Sequence, residues 1–467
     1  MAEAQQPIAM HFAEWVTTLK YDDLSPAVIE QAKQAFADTV SLMVMGSGVE
    51  RVAPFRALAT SDPHGGASIV GESDRFRPRD AAFVNAIFAH SSELDDIFLQ
   101  AGGHPGVATA PAALAVAERN GLSGRDLIVA ISAGYEIMHR SINPIFPYTQ
   151  RRGFQGTGLA GPFGSTAAVG SLLRVDAATL GNALGIAGCY SSGLMEYDQS
   201  GGESKRLYAG LAARAGIESV DLALAGVTGP LTIYEGKRGV FNAFSDERHV
   251  ELATQGLGTE EFRIATRRHV KPYPVVASIH GALDALETLV PGVIAAEDVT
   301  HVRVILPPLA LTHGGAIGVP TDTLSAQFSF AFSIAVRLLT GAVDTRWFED
   351  EVFRNSTEVA SVCAKVSLEA DPELEANAQQ GGATVEITFA DGRTARSSNP
   401  IPVGRPDNPL SAAQRRARFV RFTEPALGAG GSAQLWSLFE GLESVDAVEI
   451  TRLLSEQGNG KRDRQTS

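Results

Sequence analysis

A helical spacing of apolar residues runs through the first half of the chain and constrains the fold more than any other feature. Behind Ser25 and Pro26, apolar side chains recur every three or four residues, the period of a helix that buries one face. These apolar residues are Ile29, Ala32, Phe36, Val40 and Met43. Ser25 is placed to cap this helix, and Pro26 fits its first position.

Other stretches of the first half are also helical in pattern. Residues 80–88 predict a helix, and Ser123 with Asp126 has the spacing of a capping box in front of another helix. Glycine and alanine are dense in residues 158–225, which favours closely packed helices, because small side chains let two backbones approach. We therefore expect the N-terminal part to be all helical.

The pattern changes near Val270, where strands and helices begin to alternate. Residues 276–289 and a long stretch at 325–339 predict helices, whereas 301–307 predicts a strand. Residues 383–389 predict a strand, and the Ala-Asp-Gly-Arg sequence that starts at residue 390 predicts a hairpin turn leading to a partner strand. These elements indicate a smaller α/β domain.

The chain is too long for one core, since 467 residues exceed the roughly 150 that are usual for a domain. We expect a helical domain at 1–268, an α/β domain at 269–403 and a segment at 404–455 that returns to the helical domain. The polar tail at 456–467 is expected to be disordered. The predicted fold class is mainly α, with a smaller α/β domain.

Charge and cysteine content exclude several classes of function. The net charge of −14 argues against binding to nucleic acid or to an anionic membrane, because both need a basic face. No apolar run approaches the ~20 residues that span a bilayer, and the N-terminus lacks a signal-peptide pattern, so we expect a cytoplasmic protein. Cys189 and Cys363 are too few for a disulfide framework and are expected to be buried thiols.

The first candidate cluster for chemistry is acidic and is followed by a histidine. Glu93, Asp95 and Asp96 precede a glycine-rich turn and His104, which is followed by proline and glycine. Carboxylates beside an imidazole can act as acid, as base or as the group that orients the ring. A solvated helix end is the structural alternative. One histidine among carboxylates does not have typical metal-ligand spacing, so no metal is expected.

Two lysines form the other candidate positions. Lys205 follows a Gly-Gly-Glu-Ser loop at the start of a helix, where free backbone N–H groups suit an anion. Lys271 begins the sequence Lys-Pro-Tyr-Pro, whose prolines make a stiff segment that would hold the cation in place. An exposed lysine and a plain linker are the alternatives. Residues 156–161 lack the flanking features of a dinucleotide fingerprint, and no GxSxG hydrolase motif is present.

Taken together and in this order, the clusters resemble the MmgE/PrpD family, which includes 2-methylcitrate dehydratase, cis-aconitate decarboxylase and iminodisuccinate epimerase. The resemblance covers roughly residues 10 to 440. The motifs that carry it are Ala-His-Ser-Ser-Glu-Leu-Asp-Asp at 89–96, His-Pro-Gly at 104–106, Gly-Phe-Gln-Gly-Thr-Gly-Leu-Ala-Gly-Pro-Phe-Gly-Ser at 153–165, Ser-Lys at 204–205 before Ala-Gly-Leu-Ala-Ala at 209–213, Gly-Val-Phe-Asn-Ala-Phe at 239–244, and Lys-Pro-Tyr-Pro at 271–274.

The resemblance implies a large all-helical domain, a smaller α/β lid, a homodimer, no cofactor and a site between the domains. It implies that the family's active-site acid and histidine correspond to the Glu93 cluster and to His104. The catalytic residues assigned in this way are Asp95, Asp96, His104, Lys205 and Lys271. Residues assigned to substrate binding are Glu93, Gln155, Ser204, Tyr273 and His313.

Two departures from the family pattern bear on activity. One extra residue lies between the aspartates and His104, which leaves open which carboxylate faces the substrate. Gln155 stands where relatives that act on citrate-like acids commonly have histidine, and an amide cannot exchange a proton near neutral pH. This weakens a direct transfer of dehydratase or decarboxylase activity and leaves room for epimerisation. His313 is the candidate replacement.

The expected reaction begins with removal of a proton next to a carboxylate of a small di- or tricarboxylic acid. His104, oriented by Asp95 or Asp96, would move the proton, while Lys205 and Lys271 would stabilise the developing negative charge. We expect a 2-methylcitrate dehydratase-like lyase or an iminodisuccinate-type epimerase. The alternatives are a cis-aconitate-type decarboxylase, an inactive member that only binds polycarboxylates, and an enzyme that forms a lysine Schiff base.

Overall fold

The computed structural model describes residues 6–313, 315, 317–376 and 381–455, so the predicted tail at 456–467 lies outside the described residues. Helices dominate the first 268 residues. These α-helices span Ile8–Thr18, Pro26–Gly46, Ala53–Arg56, Pro78–His90, Pro105–Asn120, Gly124–Ile142, Tyr148–Arg151, Gly156–Leu172, Ala177–Ala187, Tyr197–Ser200, Ser204–Leu224, Val240–Ala243 and Arg263–Thr266. The later α-helices span His280–Leu289, Pro308–Thr312, Thr323–Gln327, Phe330–Thr340, Thr345–Glu349, Glu351–Arg354, Thr357–Cys363, Pro372–Ala376, Ala412–Glu440 and Ala447–Ser455.

Local sequence sets where several helices begin. The Ser25 hydroxyl accepts a hydrogen bond from the Val28 N–H at 3.3 Å, and Pro26 is the first residue of its helix, as predicted. The capping box is also confirmed. Asp126 N–H donates to the Ser123 hydroxyl at 3.3 Å, and the Asp126 carboxylate accepts from the Ser123 N–H at 3.1 Å.

Small residues bring the central helices together. Helix Gly156–Leu172 packs against Ser204–Leu224, and a Cβ added at Gly161 would lie 2.7 Å from the Cβ of Ala212. No side chain larger than hydrogen fits at that crossing. The predicted close packing of the glycine- and alanine-rich region is therefore confirmed, and the fold is mainly α.

Within the described residues, eight strands accompany the helices. They are β1 (Ala67–Ser68), β2 (Arg75–Phe76), β3 (Ile97–Phe98), β4 (Arg268–His269), β5 (Val299–Leu306), β6 (Val366–Ala370), β7 (Ala383–Phe389) and β8 (Thr394–Asn399). The last four form one sheet in the order β6-β5-β7-β8, with β5 and β6 parallel and the other neighbours antiparallel. The predicted hairpin is thus confirmed as β7 and β8. The pairs β1–β2 and β3–β4 interrupt the expected all-helical part.

The long helix predicted at 325–339 is wrong, because the chain breaks between two helices there. Helix Thr323–Gln327 ends before Phe328, and Phe330–Thr340 begins two residues later. Ser329 stabilises the break, since its hydroxyl accepts from the Phe332 N–H at 3.1 Å and donates to the Ile317 carbonyl at 2.7 Å. The capping residue Ser329 therefore starts a new helix at Phe330, although the apolar pattern continues through the break.

Apolar side chains form two separate buried cores. One contains side chains from residues 8–264 and from the C-terminal helices at 419–454. The other contains residues 275–387 together with Met195 and Tyr197. Cys363 is buried but Cys189 is exposed, so the expectation of two buried thiols is wrong for Cys189. In the described part of the chain, no helix is both long and apolar enough to cross a membrane.

Candidate active site

A cavity lies where side chains of the two cores meet. Its lining includes Glu93, His104, Gln155 and Lys205 from the helical part, and from the second part it includes His269, Lys271, residues 276–278, Pro307, Leu309, Ala310, His313, Phe328 and Gly381. A cleft between packed units is a common place for a small-molecule site.

The short strand pair β3–β4 brings the acidic cluster and the second lysine together. Ile97 pairs with His269 and Phe98 pairs with Arg268, so the segments just beyond them lie side by side. Lys271 Nζ donates to Glu93 Oε1 at 2.7 Å, and Lys205 Nζ donates to Glu93 Oε2. Two ammonium groups from distant parts of the sequence therefore converge on one carboxylate.

Glu93 and Lys205 are charged although they are buried. Burial would raise the pKa of the Glu93 carboxyl, but Lys205 and Lys271 hold that pKa well below its ordinary value. Burial lowers the pKa of Lys205 to about 8, against the opposing effect of Glu93. Glu93 also has a φ of 56°, a left-handed conformation that costs roughly 1–2 kcal/mol in an L-residue. Strain of this kind concentrates at functional sites.

His104 is fixed in one tautomer by two acceptors. Its Nδ1 lies 2.8 Å from Asp95 Oδ2 and 3.0 Å from the Asp96 carbonyl oxygen. Because both neighbours accept hydrogen bonds, Nδ1 must carry the proton. His104 lines the cavity. Its other ring nitrogen, Nε2, is then the atom that can take up a proton.

His90 is a part of the site that the sequence reasoning missed. Its Nδ1 lies 2.9 Å from the same oxygen of Asp95, and its ring meets that of His104 edge to face at 4.9 Å. Burial lowers the pKa of His90 to about 3, so the ring is neutral and donates to Asp95. Burial raises the pKa of Asp95, but the two histidines hold it well below its ordinary value. The sequence feature that could have identified His90 is its position in the Ala-His-Ser-Ser motif at 89–92.

His90, Asp95 and His104 also bring three potential metal-ligand atoms within 4.8 Å of one another. In this cluster His104 Nδ1 faces two hydrogen-bond acceptors, Asp95 Oδ2 and the Asp96 carbonyl oxygen, and the Asp95 carboxylate accepts from both histidines. The hydrogen-bond pattern therefore suits an orienting triad better than a metal centre.

The three acids of the first cluster have different positions. Glu93 lines the cavity, and Asp95 lies behind His104. Asp96 does not line the cavity; it accepts from the Gly106 N–H at 3.0 Å, from the Tyr135 hydroxyl at 2.7 Å and from Arg268 Nε at 2.6 Å. Its role in the described structure is to hold the loop that carries His104.

Gln155 is committed to local structure although it lines the cavity. Its Oε1 accepts from the Gly158 N–H at 2.8 Å and caps helix Gly156–Leu172. Its Nε2 donates to the Thr157 hydroxyl at 3.1 Å, and this hydroxyl accepts from the His104 N–H at 2.9 Å. Gln155 therefore supports the backbone of His104.

His313 also lines the cavity. Its Nδ1 lies 2.9 Å from Asp198 Oδ2, and its ring contacts the ring of Phe328 edge to face at 5.4 Å. The cavity thus contains a second histidine–aspartate pair. The side chains of His313 and Asp198 are 18% and 6% exposed, compared with 5% and 1% for those of His104 and Asp95.

Two assigned binding residues do not line the cavity. Ser204 is exposed at the start of its helix. The Tyr273 hydroxyl donates to Asp284 Oδ1 at 2.8 Å, away from the lysines. The predicted anion-binding loop before Lys205 also differs from expectation, because the Gly202 N–H donates to Asp322 Oδ2 at 2.8 Å.

Two buried arginines hold the site together and were not foreseen. Arg206 donates to the His90 carbonyl at 2.9 Å and to Gln327 Oε1 at 2.7 Å. Arg418, from helix Ala412–Glu440, donates to the carbonyls of Lys271 and Leu94 at 2.6 Å each. Nothing in the sequence near Arg418 signals this role.

Comparison with known proteins gives a consistent assignment. Residues 10–253 match the MmgE/PrpD N-terminal domain, and residues 273–443 match the MmgE/PrpD C-terminal domain. The two matched regions together cover most of the chain.

Three named relatives are similar along most of their length. The cis-aconitate decarboxylase-like protein oryM of Aspergillus oryzae is 27% identical over 96% of this chain and 97% of its own. The cis-aconitate decarboxylase of Aspergillus terreus is 27% identical over 86% of each chain. The cis-aconitate decarboxylase of Homo sapiens is 25% identical over 96% of this chain and 94% of its own.

Proposed function

Because this chain belongs to the MmgE/PrpD family, we propose that it is a cofactor-independent lyase acting at the carbon next to a carboxylate of a small polycarboxylic acid. Decarboxylation of a cis-aconitate-type acid is the leading reaction, since the named relatives are cis-aconitate decarboxylases or a protein like them. The sequence alone had placed this reaction behind dehydration and epimerisation.

One observation carries the proposal. A histidine with a fixed tautomer shares a cavity with two lysines that meet at one carboxylate. Loss of CO₂ breaks a carbon–carbon bond, leaves the electron pair on the substrate carbon and requires a proton there. Lys205 and Lys271 stabilise the negative charge, and His104 transfers the proton through Nε2.

Glu93 has a distinct part in this proposal. Two ammonium groups repel each other, and the Glu93 carboxylate between them offsets this repulsion and keeps the two groups close together. A substrate carboxylate entering the cavity would share the two lysines with Glu93. The strained backbone at Glu93 is consistent with a side chain held for function.

Proton abstraction with dehydration or epimerisation is the second candidate. Epimerisation needs a group that removes a proton and a group that returns one to the other face. His313, paired with Asp198, lines the same cavity as His104 and provides a second proton-transfer group.

Proton NMR in D₂O with cis-aconitate, 2-methylcitrate, citrate and iminodisuccinate tests the proposal. We expect consumption of cis-aconitate with CO₂ release and deuterium in the product. Deuterium exchange without CO₂ loss would favour the second candidate. No exchange and no product with any acid would refute the proposed activity and indicate an inactive binding protein.

Lysine variants test the assignment of the charge-stabilising groups. Lys271→Ala is expected to lower turnover by about 10²–10³-fold, while the exposed Lys237→Ala serves as a control with unchanged turnover. Thermal unfolding checks that each variant is folded. Wild-type rates in both Lys205→Ala and Lys271→Ala would contradict the assignment.

A further inference from the structure

Three arginine side chains hold the loop that carries Glu93. This loop spans residues 90–96, and each arginine donates a hydrogen bond to one of its backbone carbonyls. The pairs are Arg206 with His90 at 2.9 Å, Arg51 with Ser91 at 2.6 Å and Arg418 with Leu94 at 2.6 Å. Hydrogen bonds from a charged donor are stronger than neutral ones. The backbone on both sides of Glu93 is therefore fixed by side chains that are distant in the sequence.

The same three arginines also contact the part of the chain that follows residue 268. In each arginine a second nitrogen makes this contact. The contacts are Arg206 Nη2 with Gln327 Oε1 at 2.7 Å, Arg51 Nη1 with Glu349 Oε1 at 2.7 Å and Arg418 Nη1 with the Lys271 carbonyl at 2.6 Å. Glu349 follows Phe348, which is buried in the second core. The arginines thus bridge the Glu93 loop to the second part of the chain.

Glu93 has a backbone conformation that needs such support. Its φ of 56° is left-handed, and a strained residue keeps such a conformation only where its surroundings over-determine it. The carbonyls of Ser91 and Leu94, on either side of Glu93, are points where arginines attach. Movement of either carbonyl would turn the Glu93 carboxylate away from Lys205 and Lys271, because the backbone directs the side chain.

Arg51 differs from the other two arginines in its position. Its side chain is 17% exposed, whereas those of Arg206 and Arg418 are 0% and 6% exposed. Arg51 and its partner Glu349 line a groove that is separate from the cavity with the lysines. A change at Arg51 therefore leaves the lining of the cavity and the buried cores intact.

We propose that Arg51 is a positioning residue, which fixes the Glu93 loop through Ser91 and couples the geometry of that loop to the second core through Glu349. Arg51 acts on Glu93 through the backbone of the loop and does not touch the substrate. The inference rests on the proposed function for its effect on turnover. Its effect on the loop itself does not depend on which acid the protein binds.

Steady-state kinetics of Arg51→Gln and Glu349→Ala measures the effect on turnover with the best acid of the panel. We expect kcat to fall by about tenfold in Arg51→Gln, because the charged groups are displaced, and by less in Glu349→Ala, which removes one of the two contacts. Arg75→Gln is the matched control with unchanged kcat. Arg75 also donates to a carboxylate and to a backbone carbonyl, those of Glu118 at 2.6 Å and Gly66 at 3.3 Å, away from the cavity. Wild-type kcat in Arg51→Gln, or in Glu349→Ala, would overturn the inference.

The pH profile distinguishes positioning from a general loss of stability. The charged and titratable groups around Lys205 are Glu93, Lys271, Asp95, Arg206 and His90. Burial lowers the pKa of Lys205 to about 8, and Glu93 is the group that opposes this most strongly. Displacement of Glu93 should lower this pKa further, so we expect the decline of kcat/KM in Arg51→Gln to move to lower pH by about one unit. A lower kcat/KM with an unchanged pH profile would overturn the inference.

Hydrogen exchange followed by mass spectrometry separates this inference from the proposed function, because it needs no turnover. We expect the amides of residues 90–96 to exchange about three- to tenfold faster in Arg51→Gln than in the wild type. Exchange in helix Gly124–Ile142, and exchange throughout Arg75→Gln outside the surroundings of Arg75, should not change. If the wild type turns over no acid of the panel, the proposed function fails, whereas faster exchange confined to residues 90–96 still supports the inference. Unchanged exchange in these residues would overturn the inference, whatever the turnover.

Discussion

Two histidine–aspartate pairs line or adjoin one cavity, and they differ in how firmly they are held. In the pair on the helical side, His104 Nδ1 has two acceptors, and Asp95 is shared with a second buried histidine, His90. In the other pair, Nδ1 of His313 meets one acceptor among the described residues, Asp198, and the His313 side chain is more exposed.

The difference indicates which pair is suited to which task. A base must present one nitrogen in a fixed direction, and a doubly anchored, buried ring meets that requirement. A ring held at one point on a turn after a short helix is suited to contact with substrate or to a secondary proton transfer.

The largest expected effect comes from the same substitution made in both pairs. His104→Gln should lower kcat by roughly 10²–10⁴-fold, because an amide cannot transfer the proton. His313→Gln should lower kcat by less than about tenfold and act mainly on KM. Steady-state kinetics with the best acid of the panel measures both. Equal losses in the two variants would contradict the proposed division of roles.

Asp96, which holds the loop that carries His104, and Asp198, which pairs with His313, should contribute differently to the free energy of unfolding. Asp96→Asn removes the nearer charge partner of the buried Arg268, at 2.6 Å, and leaves only Asp38 at 3.7 Å, so we expect a loss of about 3–5 kcal/mol in the free energy of unfolding. Asp198→Asn, the matched change on the other side, should cost about 1 kcal/mol. Denaturant titration measures both values. A larger loss for Asp198→Asn would reverse the contrast.

The smallest expected effect is a change of kcat/KM with pH, caused by Lys205 of the helical part. The pKa of Lys205 is about 8, so its ammonium group is lost as the pH rises through that value. We expect kcat/KM to be level below pH 8 and to fall about tenfold per pH unit above it.

Lys205→Arg supplies the control for this pH profile. The guanidinium stays charged throughout the range, so the decline near pH 8 should disappear even if the rate is lower. A decline that persists unchanged in Lys205→Arg would show that another group titrates.

Local structure could largely be predicted from the sequence. The Ser25 cap, the Ser123–Asp126 capping box and the β7–β8 hairpin all depend on residues close together in the chain. The error at 325–339 has a local cause as well, because Ser329 competes with a continuous apolar period. Periodicity reports which residues are buried, but it does not report a break that one hydroxyl stabilises.

The composition of the candidate site could be predicted only in part. Glu93, His104, Lys205 and Lys271 were identified from motif order, and the structure brings all four to one cavity. Gln155 lines the same cavity, but its amide is used in capping a helix. Ser204 and Tyr273 belong to the same motifs and yet lie outside the cavity, since a motif does not specify which way a side chain points.

The helical pattern, the family resemblance and the residue types available for chemistry can be read from the sequence, because they depend on spacing along the chain. The folded structure is needed to bring Glu93 to Lys271 across 178 positions, through a strand pair of two residues each. It also decided that Arg418 binds backbone carbonyls 147 and 324 positions away. Such contacts arise from the packing of whole elements, and no local preference encodes them.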